Sequence, residues 1–378
     1  MNRRILLKSG IFFVVSVAGL PIISCSKTYN IPGLKNKPNK YGLLLPPGAK
    51  SRIIATAGEL VGKTNYSWHS APDGSGIMSF EDGGWLLISN SERVDQKGGV
   101  SVIRFSPSGE VADAYSILQG SNKNCGGMVT PWKTWLSCEE VENGVVWECD
   151  PFGKKKAYVI PELGAFKHEF IVMDPETGIL YLSEDDNDGC FYRFVPMDKT
   201  LVGRDYFMSG RLEVAEMKPN SLIVWHLVPD PMAKTQATRY QVKKSSAFKK
   251  MEGMAYNNNQ VFFNTSDDNK IWQYDIQTSQ LSIFYDAAQL SSPVLTGPDT
   301  MVFRENILYV AEDDGDMQIV AIDMRGNTKV ILQVTGQDKS EVTGIAFSPD
   351  KKRMYFNSQR GKSGKWTDGI TYEITGLF

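Results

Sequence analysis

One short stretch of this chain combines residue types that could bind metal ions. The segment NCGGMVTPWKTWLSCEE (124–140) begins with Asn124-Cys125 and ends with Glu139-Glu140. Carboxylates that lie close together raise each other's pKa unless a cation neutralises them, and calcium is bound by several such oxygens. A single thiolate adds little for calcium and favours an additional transition ion such as iron. These residue types predict a metal site, provided that the fold brings both ends of the stretch together.

Other apolar stretches carry polar residues at the same two places. Those that precede a stretch are Glu169, Glu252 and Asp299 in one alignment column, Cys125 one step earlier, and Asp73 and Glu341 two steps earlier. Those that end a stretch are Asn90, Glu92, Glu139, Glu140, Glu184 to Asp186, Asp267, Asp268 and Glu312 to Asp314. The alternative is that the acids keep exposed strand ends soluble and that the cysteine is a small buried residue. Carboxylates aligned in one column favour the metal site.

A repeated strand pattern would bring these residues together. An apolar pair, a turn and an apolar strand that ends in acids or amides recur in copies that begin at Gly76, Gly127, Phe170, Gly253, Thr300 and Gly344. A repeat of about 45 residues built from hairpins is typical of a β-propeller. The sequence therefore predicts an all-β, six-bladed β-propeller, with an open two-sheet fold as the alternative. In a propeller the innermost strand starts at one end of the channel and the second strand returns there, so both sets of polar residues would share one face.

Two segments lie outside the repeat. SRIIATAG (51–58) has no partner in its own repeat, and we expect it to complete the last blade and close the ring. An insertion at about 197–250 separates the third and fourth repeats, and its SLIVWHLVPDP (221–231) would form an outer strand. The basic residues of the insertion are Lys234, Arg239, Lys243, Lys244, Lys249 and Lys250. They form either a solvated loop or a lid that brings positive charge over the face.

The N-terminus has the features of an export signal. Arg3-Arg4 in MNRRILLK resembles a twin-arginine signal, and the apolar run 11–23 is too short for a secure membrane span. The run ends in IISC, which resembles a lipobox with Cys25 as the acylated residue. An uncleaved N-terminal anchor is the alternative.

These features predict the organisation and location of the chain. We expect a signal peptide at 1–25, a linker at 26–40 and the propeller at 41–378 of a periplasmic or outer-membrane lipoprotein. The membrane would be contacted only through the lipid on Cys25, and we expect a monomer. The net charge of −2 gives no indication of nucleic-acid binding.

Two further motifs leave alternatives open. If Asn143-Gly144 formed a two-residue hairpin turn, Cys138 and Cys149 would face each other within disulfide reach; otherwise both are packing residues. His168 would either orient its neighbour or contact a substrate, or it has a structural role. His69 and His226 are interpreted as surface or packing residues, so no hydrolase triad is predicted.

Several segments together resemble the PhoX-type alkaline phosphatases. The stretch 124–140 is similar to the family's Asn-Cys-small-Gly, Thr-Pro-Trp-Gly-Thr-Trp and Cys-Glu-Glu signature, and FKHEFIVMDPETGILYLSEDD is similar to its His-Glu segment. CFYRFVP, MEGMAY, GPDTMVF and EVTGIAFSPD resemble four further motifs in the same order. The resemblance covers the chain from about residue 41 to residue 361.

The resemblance implies an exported six-bladed propeller that hydrolyses a small phosphorylated substrate at a cluster of Fe3+ and Ca2+ ions. The metal ligands carried over by motif are Cys125, which would bind iron, Glu169, Glu252 and Asp299, with Glu139, Glu140 and Glu341 as further candidates. The residues implied to steady the phosphate are Lys250, which stands where the family has an arginine, together with Asn90 and His168.

The chain also departs from the family pattern. Lys250 keeps the positive charge of the arginine but loses its bidentate geometry. Met251 replaces a proline, Lys133 replaces a glycine, and Ser91 replaces the histidine of an Asn-His-Glu motif. Two other functions therefore stay open: a non-catalytic, calcium-stabilised propeller lipoprotein that binds a ligand or partner, and a lactonase-like propeller hydrolase.

Overall fold

The described part of the chain is built almost entirely of short antiparallel strands. The computed structural model describes residues 31–313 and 315–378. The predicted signal peptide, with its twin-arginine pair and the lipobox at Cys25, lies outside these residues. Within the described ranges, no helix is long and apolar enough to cross a membrane.

The strands form six sheets, which are the blades of the propeller. Two strands precede the first blade: β1 (Leu43–Leu44) and β2 (Lys50–Thr56). The first blade contains β3 (Pro72–Ser79), β4 (Trp85–Ser91), β5 (Gly98–Phe105) and β6 (Val111–Ser121). The second contains β7 (Asn124–Val129), β8 (Trp135–Glu139), β9 (Val146–Cys149) and β10 (Tyr158–Val159). The third contains β11 (His168–Met173), β12 (Leu180–Glu184), β13 (Phe191–Val195), β14 (Arg211–Met217) and β15 (Ile223–Leu227).

The remaining blades follow the same plan. The fourth contains β16 (Met251–Asn257), β17 (Gln260–Thr265), β18 (Lys270–Asp275) and β19 (Leu281–Asp286). The fifth contains β20 (Pro298–Arg304), β21 (Ile307–Glu312), β22 (Gln318–Asp323) and β23 (Thr328–Val334), and the sixth contains β24 (Val342–Phe347), β25 (Arg353–Ser358) and β26 (Ile370–Thr375). The helices are short: α1 (Gly203–Met208), α2 (Thr238–Gln241) and the 3-10 turns Pro161–Leu163, Ala287–Gln289 and Trp366–Asp368.

The ring is closed by a strand from the start of the described chain. β2 pairs antiparallel with β26, with Lys50 opposite Thr375, and so supplies the outermost strand of the sixth blade. β1 adds a further edge strand to β23 of the fifth blade. The six-bladed propeller and the closing role predicted for SRIIATAG are therefore confirmed.

The hydrophobic core lies between neighbouring blades. β4, with the sequence WLLISNS, is buried along its whole length because it is covered on both faces. Phe191 of the third blade contacts Phe263 of the fourth, with ring centroids 4.9 Å apart. Phe105 of the first blade contacts Tyr355 of the sixth, with centroids 5.3 Å apart. Side-chain packing therefore joins the first and last blades as it joins the others.

The hairpin that carries Cys138 and Cys149 has a different register from the one that would allow a disulfide. Cys138 lies opposite Val146, and Cys149 lies opposite Trp135. Because the turn around Asn143 is longer than two residues, the cysteines are out of register and face opposite sides of the blade. Cys138 packs toward the third blade and Cys149 toward the first, and both thiols are free. The disulfide hypothesis is wrong.

The insertion extends the third blade and then returns to the channel mouth. β15, within SLIVWHLVPDP, is the outermost strand of this blade, as predicted. Among the basic residues that follow it, Lys234, Lys243 and Lys244 are exposed. Arg239 is largely buried and contacts Glu184, with Nη1 and Oε1 2.9 Å apart. The basic run is therefore mixed: some of its side chains are exposed to solvent, and Arg239 is bound to Glu184 at the end of β12.

Candidate metal centre

At the channel mouth, every blade has the same backbone hydrogen bond between its innermost and second strands. The residue just before the innermost strand accepts a hydrogen bond from the backbone amide of the residue just after the second strand. In the second blade Lys123 O accepts from Glu140 N at 2.9 Å, and in the fourth blade Lys250 O accepts from Ser266 N at 3.0 Å. The equivalent acceptor and donor residues are Ala71 and Glu92, Lys167 and Asp185, Gly297 and Asp313, and Glu341 and Gln359.

This hydrogen bond lets us define three equivalent positions in every blade. We call the acceptor the entry position, the donor the rim position and the second residue of the innermost strand the inner position. The entry residues are Ala71, Lys123, Lys167, Lys250, Gly297 and Glu341. The rim residues are Glu92, Glu140, Asp185, Ser266, Asp313 and Gln359. The inner residues are Asp73, Cys125, Glu169, Glu252, Asp299 and Thr343.

The inner position is followed by a shift in strand register. The pairing of β7 with β8 jumps between Asn124 and Gly127, and that of β16 with β17 jumps between Met251 and Met254. A bulge of this kind turns a side chain away from the regular alternation of the strand. The same shift follows Asp73, Glu169 and Asp299, so the five residues occupy equivalent positions although the alignment of the copies placed Cys125 and Asp73 outside the column. In the structure they share it with Glu169, Glu252 and Asp299.

The inner and rim side chains gather into groups with metal-ligand spacing. Three groups each offer ligand atoms that lie within 4.8 Å of one another: Cys125, Glu140 and Glu169; Glu169, Glu252 and Asp299; and Asp73, Glu92 and Glu341. Glu169 is shared by two of them, and its Oε1 is 2.8 Å from Cys125 Sγ. Its second oxygen is buried and has no hydrogen-bond partner among the described residues.

Burial opposes the ionised forms that metal binding needs. Burial first, and then the neighbouring carboxylates, raises the pKa of Cys125, Glu169 and Asp299 well above their usual values, and burial raises that of Glu252 to about 8. Ionised acids at this density would repel each other unless a cation joins them. The free oxygen of Glu169 and the mixed oxygen and sulfur donor set fit hard cations together with an iron ion.

Three basic side chains also reach the mouth. Lys123 Nζ lies 3.0 Å from Glu92 Oε1 and also contacts Glu140. Arg360 contacts Glu341 at 2.8 Å, and Lys250 contacts Asp185 at 3.0 Å. Lys123 and Arg360 were not among the candidates named from the sequence. The signal for Lys123 was its entry position, which it shares with Lys250 two blades further on.

Comparison with known proteins identifies the family. The family model described as "Alkaline phosphatase PhoX" matches residues 97–162 and 141–289, together about half of the chain. The chain belongs to the PhoX family. Family membership places it among alkaline phosphatase-type hydrolases, in agreement with the resemblance found in the sequence motifs. No curated protein matches the chain.

Solved structures share the fold of this PhoX-family chain at low sequence identity. Pseudomonas fluorescens PhoX, in complex with the transition-state analogue vanadate, is 16% identical, covers 89% of this chain and 96% of its own, and has a TM-score of 0.74. A gluconolactonase from Xanthomonas campestris is 10% identical, covers 86% of this chain and 89% of its own, and has a TM-score of 0.52. At these identities the likeness extends to the propeller fold.

The side chain of Asn90 is bound to the second blade in this PhoX-family chain. Its Nδ2 donates to Cys125 O at 2.7 Å and to Gly126 O at 2.8 Å, and its Oδ1 accepts from Trp135 Nε1 at 2.9 Å and Ser137 Oγ at 3.0 Å. The amide is fully buried and has no free polar atom. Asn90 therefore fixes the backbone of the second blade at Cys125, and its contact with a phosphate stays a prediction from the resemblance.

The same bond between blades recurs around the ring. Ser183 Oγ donates to Glu252 O at 2.9 Å, Asn264 Nδ2 to Asp299 O at 2.9 Å and Asn357 Nδ2 to Asp73 O at 2.8 Å. Each donor lies in the second strand of the preceding blade. Polar side chains in these second strands therefore fix the backbone of the inner residue in the next blade.

His168 also lies away from the mouth. Its ring is fully buried against Phe166, with centroids 3.7 Å apart, and Nε2 donates to Gly164 O at 3.1 Å. Burial lowers its pKa to about 3, so the ring is neutral. Since successive residues of a strand point to opposite faces, His168 points into the blade while Glu169 points into the channel. The structure therefore places His168 away from the candidate ligands, and its contact with a phosphate stays a prediction.

Glu139 binds backbone and lies outside the three groups. Its carboxylate accepts from Asn122 N at 2.8 Å and from Val145 N at 3.3 Å, so it holds the hairpin turn. Glu140, the next residue, points to the mouth instead. Of the two acids that were candidates at this strand end, the structure brings Glu140 alone to the centre.

Within the described part of the chain, the remaining acids and histidines considered in the sequence lie outside the three groups. Glu184 pairs with Arg239, Glu312 accepts backbone amides, and Asp267 and Asp268 pair with lysines outside the centre. His69 stacks on Trp68, and His226 contacts Glu216, as packing and surface residues would.

Proposed function

We propose that this chain is a metal-dependent phosphomonoester hydrolase that acts outside the cytoplasm. The observation that carries the proposal is the position of Glu169, shared by two groups of candidate ligands and left with a buried, unpartnered oxygen. Family membership supports the reaction class. The export signal and lipobox of the sequence support a periplasmic or outer-membrane location.

The residues divide between two kinds of metal ion. Cys125, with Glu140 and Glu169, would hold Fe3+, because a thiolate suits iron and adds little for calcium. Glu252 and Asp299, together with the group Asp73, Glu92 and Glu341, offer only oxygen and would hold Ca2+. When bound, the ions would supply Lewis-acid stabilisation of the phosphoryl oxygens.

Lys250 is the residue of the chain best placed to orient the phosphate. It is half-buried at the mouth, its Nζ lies 3.0 Å from Asp185, and it directly precedes β16, two residues before Glu252. An ammonium is a point charge that binds phosphate without the fixed fork of arginine. Lys250 would therefore hold the substrate over the ligand groups, and Asp185 would hold Lys250.

The proposed function predicts both metal content and turnover. We expect the purified protein to contain iron and calcium by elemental analysis and to hydrolyse p-nitrophenyl phosphate at alkaline pH. A calcium chelator should lower turnover by about 100-fold, and added calcium should restore it. Calcium without iron and without phosphatase activity would instead support the binding-protein alternative. Turnover of lactones alone would support the lactonase-like alternative.

Lys250→Gln should weaken phosphate recognition. We expect kcat/KM for p-nitrophenyl phosphate to fall about 10- to 100-fold, the usual cost of a lost charged hydrogen bond. Lys250→Arg should keep most of the activity because it restores the charge. The matched control is Lys249→Gln, because Lys249 is exposed and lies 3.6 Å from Asp267, outside the three groups. Equal kinetics for Lys250→Gln and Lys249→Gln would contradict this role.

A further inference from the structure

The ammonium of Lys123 lies between two carboxylates that belong to different ligand groups. Its Nζ is 3.0 Å from Glu92 Oε1 and also donates to Glu140 Oε1. Glu92 belongs to the group with Asp73 and Glu341, whereas Glu140 belongs to the group with Cys125. A fixed positive charge therefore already joins the two groups.

The backbone holds Lys123 in this position. Its φ of 45° lies in the left-handed region, which costs about 1–3 kcal/mol for a residue other than glycine. Lys123 N donates to Arg93 O at 2.7 Å, and Lys123 O accepts from Glu140 N at 2.9 Å. The surroundings on both sides of the residue thus impose its conformation, and the long side chain is directed at the two acids.

The other lysine-bearing entry positions do not join ligand groups. Lys167, the equivalent residue of the third blade, contacts Asp186 at 2.8 Å, and Asp186 belongs to none of the groups. Lys250 contacts Asp185, a rim residue that is also outside them. Lys123 differs from both because each of its partners is a candidate ligand.

We propose that the Lys123 ammonium substitutes for one divalent cation, so that Glu92 and Glu140 share a fixed charge and not a metal ion. The inference rests on the proposed metal-dependent function. An ammonium offers three donors and one unit of charge, which is enough to join two carboxylates. Without it, no positive charge would lie between Glu92 and Glu140, and the two carboxylates would repel each other unless a cation entered between them. The cation that suits such oxygen ligands is a hard divalent ion, calcium.

The test is to remove the charge of Lys123 while keeping the length of the side chain. Lys123→Met and Lys123→Gln, purified and dialysed against calcium, should contain about one more equivalent of calcium per chain than the wild-type protein by elemental analysis. Calcium should also raise the thermal midpoint of these variants further than that of the wild type, because only the variants gain a site. Lys123→Arg, which keeps the charge, and Lys167→Met, the matched control, should bind the same amount as the wild type.

Each outcome decides the proposal. Equal calcium content in the wild type and in folded Lys123→Met overturns it. It is also overturned if both neutral variants stay unfolded at saturating calcium, because a cation then does not replace the ammonium. Wild-type protein that purifies without metal and without turnover would contradict the proposed function itself, whereas a metal-bound, active wild type with no gain in the variants contradicts only the inference about Lys123.

Discussion

Glu169→Gln should abolish phosphomonoester hydrolysis, with a loss of at least about 1,000-fold in kcat/KM. Loss of a single preorganised charge-stabilising group commonly costs 100- to 1,000-fold, and Glu169 belongs to two ligand groups at once. A neutral amide cannot replace a carboxylate between two cations. The measurement is turnover of p-nitrophenyl phosphate together with the metal content of the same preparation, which should also fall.

The stability of this variant separates a site effect from a folding effect. Because burial and the neighbouring acids raise the pKa of Glu169, its ionised form opposes folding when no metal is present. Glu169→Gln should therefore unfold in chelator at the same temperature as the wild type or higher, while it loses the stabilisation that calcium gives the wild type.

The matched control for Glu169→Gln is Glu139→Gln. Glu139 is a buried glutamate of the neighbouring hairpin that accepts hydrogen bonds from backbone amides. Its substitution should lower the free energy of unfolding by about 1–3 kcal/mol and leave metal content unchanged. Full activity in Glu169→Gln, or loss of metal in a folded Glu139→Gln, would contradict the assignment.

Cys125→Ser should remove iron from the protein and lower turnover by at least about 100-fold. Changes to residues that merely support a metal ligand already cost 10- to 100-fold, and the loss of the thiolate removes a candidate ligand itself. Calcium should remain, because the group Asp73, Glu92 and Glu341 does not include the cysteine. Elemental analysis of the variant measures both ions in one sample.

Cys138→Ser is the control for this substitution. Cys138 is also fully buried, but it packs among apolar residues of the second and third blades. A hydroxyl there has no ready partner, so we expect a loss of about 1–3 kcal/mol in stability with iron content unchanged. If Cys125→Ser retained iron and activity, the thiolate would have no place in the centre, and the proposal of an iron ion would lose its basis.

Much of the fold was accessible from the sequence because hairpin patterns are local. Each copy shows its own turn and its own apolar strand, so the number of blades and the closing strand could be predicted. The positions of Glu169, Glu252 and Asp299 in one column followed from the same repeats. The ligand candidates at the mouth were therefore named without knowledge of the structure, with Asp73 and Glu92 named from their places in the repeat alone, because the motifs carried over did not include them.

The sequence was least informative where a local pattern does not decide which way a side chain points. Asn90 was selected because it keeps the asparagine of the family's Asn-His-Glu motif, and its amide binds Cys125 O of the next blade. His168 and Glu169 are neighbours in sequence yet face opposite sides of a strand. The hairpin of Cys138 depends on a turn whose length the dipeptide Asn143-Gly144 did not determine.

The sequence by itself determined which residue types stand before and after each inner strand, because each repeat is one continuous segment of the chain. The tertiary structure alone decided how they combine. The register shift after each inner position turns Asp73 and Cys125 into the same ring as the acids, and closure of the propeller brings Asp73 next to Glu341 from the other end of the chain. The place of Lys123 between Glu92 and Glu140 likewise depends on two blades packed side by side, because Glu92 belongs to the first blade and Glu140 to the second.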